Sequence, residues 1–338
     1  MPVVLAETTR GGRVESIHHG IVAVVNTDGE LVASAGDTEH AIFYRSSAKP
    51  FQAVPLVESG AADAYGFTPA ELALCCASHV ATERHQTAVA AMLAKLGLDD
   101  TALKCGAPLP SDREAAAKVL TGQTAKSQLQ CDCSGKHTGM LATCLHLGEP
   151  LDDYRDLDHP AQQRILQVMS DVLRTKKDEI PLGIDGCSLP TFGGSTRAFA
   201  TSYAALAAPE RVPAGAGKEH AAALNRLREA MIAHPANVSG DGRDSTDLME
   251  VAEGRIVAKG GAEGLFCFGL PEHGLGVAIR ILDGTSRAHA GVAMAVLEQL
   301  DLVPANVIET FRRRHPAVIK NHNGMEVGEV RSTVQLER

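Results

Sequence analysis

The chain has 338 residues, 44% of them hydrophobic, a formal net charge of −9, no tryptophan and only 4% aromatic residues. That content can bury one large core or two smaller ones, and we expect two lobes. The acidic balance, relieved only by Arg312-Arg313-Arg314, gives a phosphate backbone little to hold, and so few aromatics leave no stacking platform for bases or sugars, so nucleic acid is excluded as a partner.

In chain order, residues 3–8 read as a strand, followed by a loose alternation that ends in Ile21-Val22-Ala23-Val24-Val25. Asn26-Thr27-Asp28-Gly29-Glu30 carries an Asp-Gly turn before Leu31-Val32-Ala33-Ser34, which predicts a hairpin and an opening antiparallel sheet. From Ser46 a helix is expected to run toward Gly60, although Pro50 confines the serine to its mouth. Thr68-Pro69-Ala70-Glu71 is a capping box with proline at the first helical position. Ser78-His79 interrupts that helix, and another starts near Thr82. Segments 112–121, 136–147 and 159–176 follow as helices, then 196–206 and 220–234. Three strand candidates come next, at 255–259, 265–268 and 275–281. Thr285 or Ser286 then caps a helix to Leu300, and a last helix is expected to reach Arg313. Strands, a helical block, strands and helices predict a mostly antiparallel sheet flanked by helices (residues 1–60 and 195–338) with a helical lobe (61–194) inserted. No apolar run reaches membrane length and no basic leader precedes an apolar core, so no membrane partner and a cytoplasmic location are expected. Eight cysteines in such a chain are free thiols or metal ligands rather than a disulfide scaffold.

Chemistry is suggested first by Tyr44-Arg45-Ser46-Ser47-Ala48-Lys49-Pro50-Phe51. A serine hydroxyl attacks poorly at neutral pH and needs a base within reach, which a neutral lysine three residues on can be. S-x-x-K also arises by chance roughly once in a chain this long, and a helix cap followed by a surface lysine reads the same way. Lys259-Gly260-Gly261 at the end of a predicted strand adds weight. A serine–lysine helix start, a helical lobe and a strand-borne Lys-x-Gly follow the layout of penicillin-binding serine acyl-enzymes. An exposed strand lysine before a turn is the plainer alternative. Ser78-His79 can face the same site, or be a capping serine beside a satisfied histidine. Cys131-Asp132-Cys133-Ser134-Gly135-Lys136-His137, with Gly186-Cys187 about fifty residues later, suits zinc in its donor types. The tight C-x-C spacing equally fits buried free cysteines.

Four segments in order, Tyr44–Gln52, Cys133–His137, Gly183-Ile184-Asp185-Gly186-Cys187 and Lys259–Gly264, resemble the asparaginase II family of the Rhizobium etli type over nearly the whole chain. The resemblance implies an α/β fold of the serine β-lactamase and glutaminase kind, a homodimer, and hydrolysis of the L-asparagine side-chain amide to L-aspartate and ammonia. It makes Ser46 the nucleophile and Lys49 its base, with Ser78 and Lys259 a second Ser–Lys pair beside them. Cys133, Lys136 and Cys187 match the family's zinc ligands, and Arg45, His137 and Asp185 match positions that line the substrate. Rival readings are a glutaminase, a β-lactamase-like serine hydrolase, and a non-catalytic zinc-binding protein on the same fold.

Overall fold

A computed structural model describes residues 1–338. Its strands in chain order are β1 (Val3–Arg10), β2 (Arg13–Asn26), β3 (Leu31–Ala35), β4 (Ala41–Phe43), β5 (Leu182–Ile184), β6 (Pro190–Ser195), β7 (Val257–Gly261), β8 (Leu265–Leu270), β9 (Leu275–Ile281), β10 (Val318–Lys320) and β11 (Glu326–Ser332). The chain divides into two compact units, one of residues 1–47, 194–213 and 242–338, the other of residues 48–193 and 214–241.

The first unit is built on an antiparallel sheet in the order β10-β11-β1-β2-β9-β8-β7, with β3 paired to the far end of β2. The expected hairpin forms, with Val22 opposite Ala35. Ile21 to Val25 are all buried, as an unbroken apolar run requires when both faces of a strand are covered. The helix Thr196–Ala207 packs on β2, β8 and β9. It lies so close that a Cβ at Gly276 would stand 2.0 Å from the Ala200 carbonyl oxygen, so glycine is required there. β10 and β11 are a correction, since residues 318–332 carried no strand reading. They are half-exposed or exposed along almost their whole length, and so lack the apolar period that betrays a strand. The helix expected from Thr285 or Ser286 begins instead at His289. Asp283 and Thr285 accept the Thr285 and Arg287 N–H groups in a turn before it.

The second unit is helical, with Pro69–Cys75, Glu83–Lys95, Arg113–Leu120, Ser134–Leu147, Pro160–Leu173 and Ala221–Ala233 as its main elements. The Thr68 capping box is present in both directions: the hydroxyl accepts from Glu71 N at 3.3 Å and the Glu71 carboxylate accepts from Thr68 N at 2.7 Å. The single helix expected from Ser46 to Gly60 is broken into a 3-10 turn, Arg45–Ala48, and short helices Lys49–Gln52 and Val54–Glu58. Pro50 and Pro55 each withdraw a donor and impose the breaks. Ser134–Leu147 is buried from Ser134 to Cys144, and Gly135 lets it touch the helix Pro69–Cys75, because a Cβ there would fall 2.3 Å from the Leu74 oxygen. No helix is long and apolar enough to cross a membrane.

Candidate functional site

Lys49 opens its short helix with a fully buried side chain. An ammonium has three donors, and three acceptors meet them: the Ala77 carbonyl at 2.6 Å, Ser78 Oγ at 2.8 Å and Asp132 Oδ2 at 3.3 Å. Ser46 is not among them. Burial alone pushes the amine toward neutrality, but Asp132, Cys133 and Cys187 outweigh it and hold the pKa above its ordinary value. Ser78 sits past the end of the helix Pro69–Cys75, held by its N–H to Val238 O at 2.9 Å.

A row of buried sulfur lies beside this lysine. Cys133 shares side-chain hydrogen bonds with Cys131 and Cys187, and these push its thiol well below the ordinary range although burial opposes them. Lys136 Nζ lies 3.3 Å from Cys187 Sγ. Burial works against the Lys136 charge, yet Cys187 and Cys133 raise its pKa on balance. Thiols from Cys133 and Cys187 and the Lys136 amine thus converge where water is excluded, with the Asp132 carboxylate and Cys131 adjoining. Two soft donors and a nitrogen, all buried, form a donor set that fits zinc. All eight cysteines are free thiols.

Two buried histidines border the group. His79 follows Ser78; its Nδ1 accepts from Ala81 N–H at 3.1 Å, so Nε2 carries the proton and donates to Ser134 Oγ at 2.9 Å. Burial, then His85 and Lys49, push its pKa down to about 3. His137 pairs through Nδ1 with the Tyr154 hydroxyl at 2.6 Å, while its buried Nε2 has no partner. Asp185 follows the β5 strand and opens a tight turn closed by Ser188 N–H on its carbonyl at 2.9 Å, and its charge reaches Lys136.

The remaining sequence-predicted residues belong to the sheet unit. Ser46 lies in the Arg45–Ala48 turn and is half-buried, and Arg45 takes a left-handed φ of 46° with its guanidinium 3.8 Å from Glu263. It is Ser47, not Ser46, that ties this turn to β7, donating to Lys259 O at 3.2 Å and accepting on its own carbonyl from Tyr203 OH at 2.8 Å. Lys259 is buried, and its ammonium donates to Gly260 O at 2.7 Å. Gly260 N–H is held by Ser245 Oγ at 2.9 Å.

The structure therefore gathers Lys49, Ser78, Cys133, Lys136 and Cys187 in the helical unit, with His137 in the electric field of Lys136, Cys133 and Lys49. Sequence reasoning passed over Asp132 as an ion partner, although it lies inside the C-D-C motif. It also passed over Ser134 and Tyr154, and a lone tyrosine in a loop of aspartates and leucines gives no signal to find.

The profile of the L-asparaginase II family matches residues 6–332. Comparison with curated proteins yields no match. Among solved structures, the chain is similar to Mglu in its native form at 13% identity and a TM-score of 0.46, over 84% of this chain and 64% of that one. It is also similar to a beta-lactamase from Mycobacterium bovis at 14% identity and a TM-score of 0.39, over 88% of this chain and 95% of that one. The chain thus spans 64% of the length of Mglu.

Proposed function

We propose, from the premise that this chain belongs to the L-asparaginase II family, that it hydrolyses the side-chain amide of L-asparagine to L-aspartate and ammonia through a serine acyl-enzyme. Membership by itself gives an asparaginase-type amidohydrolase acting on a small molecule. The observation that carries the finer reading is the fully buried Lys49 amine within 2.8 Å of the Ser78 hydroxyl, three residues after Ser46.

In this reading Lys49 first sheds its ammonium proton, and the neutral amine then takes the proton of Ser46 as the serine attacks the amide carbon. The Ser78 hydroxyl, bonded to the same nitrogen, keeps the amine oriented as the proton arrives. Backbone N–H groups at the start of the short helix steady the developing oxyanion. Protonation releases ammonia, and water then cleaves the ester to free L-aspartate and restore Ser46. Arg45 holds the substrate α-carboxylate and Asp185 its α-ammonium. The resemblance assigns Ser78 and Lys259 as a second Ser–Lys pair; Ser78 bonds Lys49 in the helical unit, and Lys259 donates to Gly260 O in the sheet unit. Cys133, Lys136 and Cys187 would hold a zinc ion, which would offset the thiolate charge beside Lys49. A homodimer is the assembly we propose.

Ammonia release from L-asparagine and L-glutamine, together with nitrocefin opening, separates this reading from the glutaminase and β-lactamase alternatives. Ser46→Ala is expected to lower kcat about a thousandfold or more. Retention of most turnover by that variant sinks the serine mechanism. Metal content of the purified chain, before and after a chelator, tests the zinc assignment separately. About one zinc per chain is expected, and it should fall in Cys187→Ser.

A further inference from the structure

Tyr154 stands in the loop before the helix Pro160–Leu173, with no exposed surface, and Gln162 Nε2 holds its carbonyl at 2.8 Å. Its hydroxyl oxygen accepts the Lys104 N–H at 3.1 Å and lies 2.6 Å from His137 Nδ1, the two rings meeting edge to face at 84°. The protons follow from counting partners. A phenol has one hydrogen. With Lys104 N–H already donating to the oxygen, the only acceptor in reach of that hydrogen is His137 Nδ1. A proton on Nδ1 instead would leave two orphans in a dry site, the Tyr154 O–H and a bare His137 Nε2. A proton on Nε2 leaves one, the Nε2–H itself, with His137 wholly buried. An unpaired buried donor costs about 1–3 kcal/mol, so the arrangement with fewer orphans prevails.

We infer that Tyr154 is a positioning residue that locks His137 as the Nε2–H tautomer, so that His137 meets the substrate as a hydrogen-bond donor to an oxygen. The relay runs from Lys104 N–H to the Tyr154 hydroxyl to His137 Nδ1, and its output is one N–H aimed at a position the protein leaves without an acceptor. A carbonyl or carboxylate oxygen satisfies it. An ammonium does not, which assigns His137 to the oxygen end of an amino-acid substrate. The identity of that substrate rests on the proposed function, whereas the tautomer does not.

The full-length chain labelled with [15N]histidine reads the proton directly, in a long-range 1H–15N spectrum whose His137 signal is assigned by its loss in His137→Gln. Wild type is expected to show a pyrrole-type Nε2 and a pyridine-type Nδ1. In Tyr154→Phe the proton should move toward Nδ1, and kcat/KM for ammonia release from L-asparagine should fall about tenfold to a hundredfold. A protonated Nδ1 in wild type overturns the relay. So does a Tyr154→Phe protein whose spectrum and kcat/KM are both unchanged. A chain that leaves L-asparagine untouched, yet shows the Nε2–H form in wild type and loses it in Tyr154→Phe, overturns the functional reading and upholds the relay.

Discussion

His79 and His137 sit fully buried in one helical unit, both bordering the Lys49 and cysteine group, and they differ in how their nitrogens are met. His79 has both ring nitrogens paired, one to the Ala81 N–H and one to Ser134. His137 has one paired and one left over. Folding alone explains the first, because one bond shapes the loop after Ser78 and the other ties that loop to the start of the helix Ser134–Leu147. It does not explain the second, since a buried donor without an acceptor lowers stability and is retained where a ligand completes it. Of two histidines in similar surroundings, the incompletely bonded one is the one our proposal assigns to the site.

That contrast can be broken by substitution. His79→Ala should cost the most, roughly 2–5 kcal/mol in denaturant unfolding, since it opens a cavity and strands Ser134 and the Ala81 N–H. His137→Phe should lower kcat/KM for amide hydrolysis about a hundredfold while shifting stability by less than about 1 kcal/mol, because it trades one unpaired donor for another, the Tyr154 O–H. Equal stability losses in the two variants would erase the distinction between them.

Acid sharpens it further. The folded pKa of His79 is about 3, below the 6.5 of an unfolded histidine, so the unfolded chain binds the proton first. Its contribution is therefore intact above pH 6.5 and is lost as pH falls from there toward 3, with a limiting slope of about 1.4 kcal/mol per pH unit. Unfolding curves of His79→Gln should be flatter by about that slope. His220 runs the other way and supplies the smallest effect. It lies between Glu58 at 2.7 Å and Asp171 at 3.2 Å, and although burial opposes the charge, these carboxylates raise its pKa. Its stabilisation is present below pH 6.5 and is lost as pH rises through the raised value. His220→Gln should thus cost under about 1 kcal/mol at pH 6 and less in mild alkali.

The fold was legible wherever local chemistry agrees with burial. Ile21–Val25 has no face to show to water, and Thr68-Pro69-Ala70-Glu71 satisfies its own helix end, so both announce themselves in the sequence. β10 and β11 lie half-exposed to exposed and keep no apolar period, which hid them. At the site, the motif around Cys133 displayed its donors by residue type, yet could not say that Lys49 would bond to Ser78 and Asp132. Those bonds join positions 29 and 83 residues away from the lysine. Tyr154 was invisible for the same reason, because its role depends on a partner seventeen residues back and a backbone N–H fifty back.

The order of the large sheet has a consequence for the chain as it is made. β1 and β2 emerge first, but their flanking partners are β11 and β9, whose pairings join Ala6 to Ser332 and Val22 to Ile279. Until residues 326–332 have left the ribosome, the hairpin of β1 and β2 carries unpaired edges, a template for mispairing between nascent chains. The helical unit, complete once residues 214–241 are made, needs no partner so distant and is free to condense before the sheet closes.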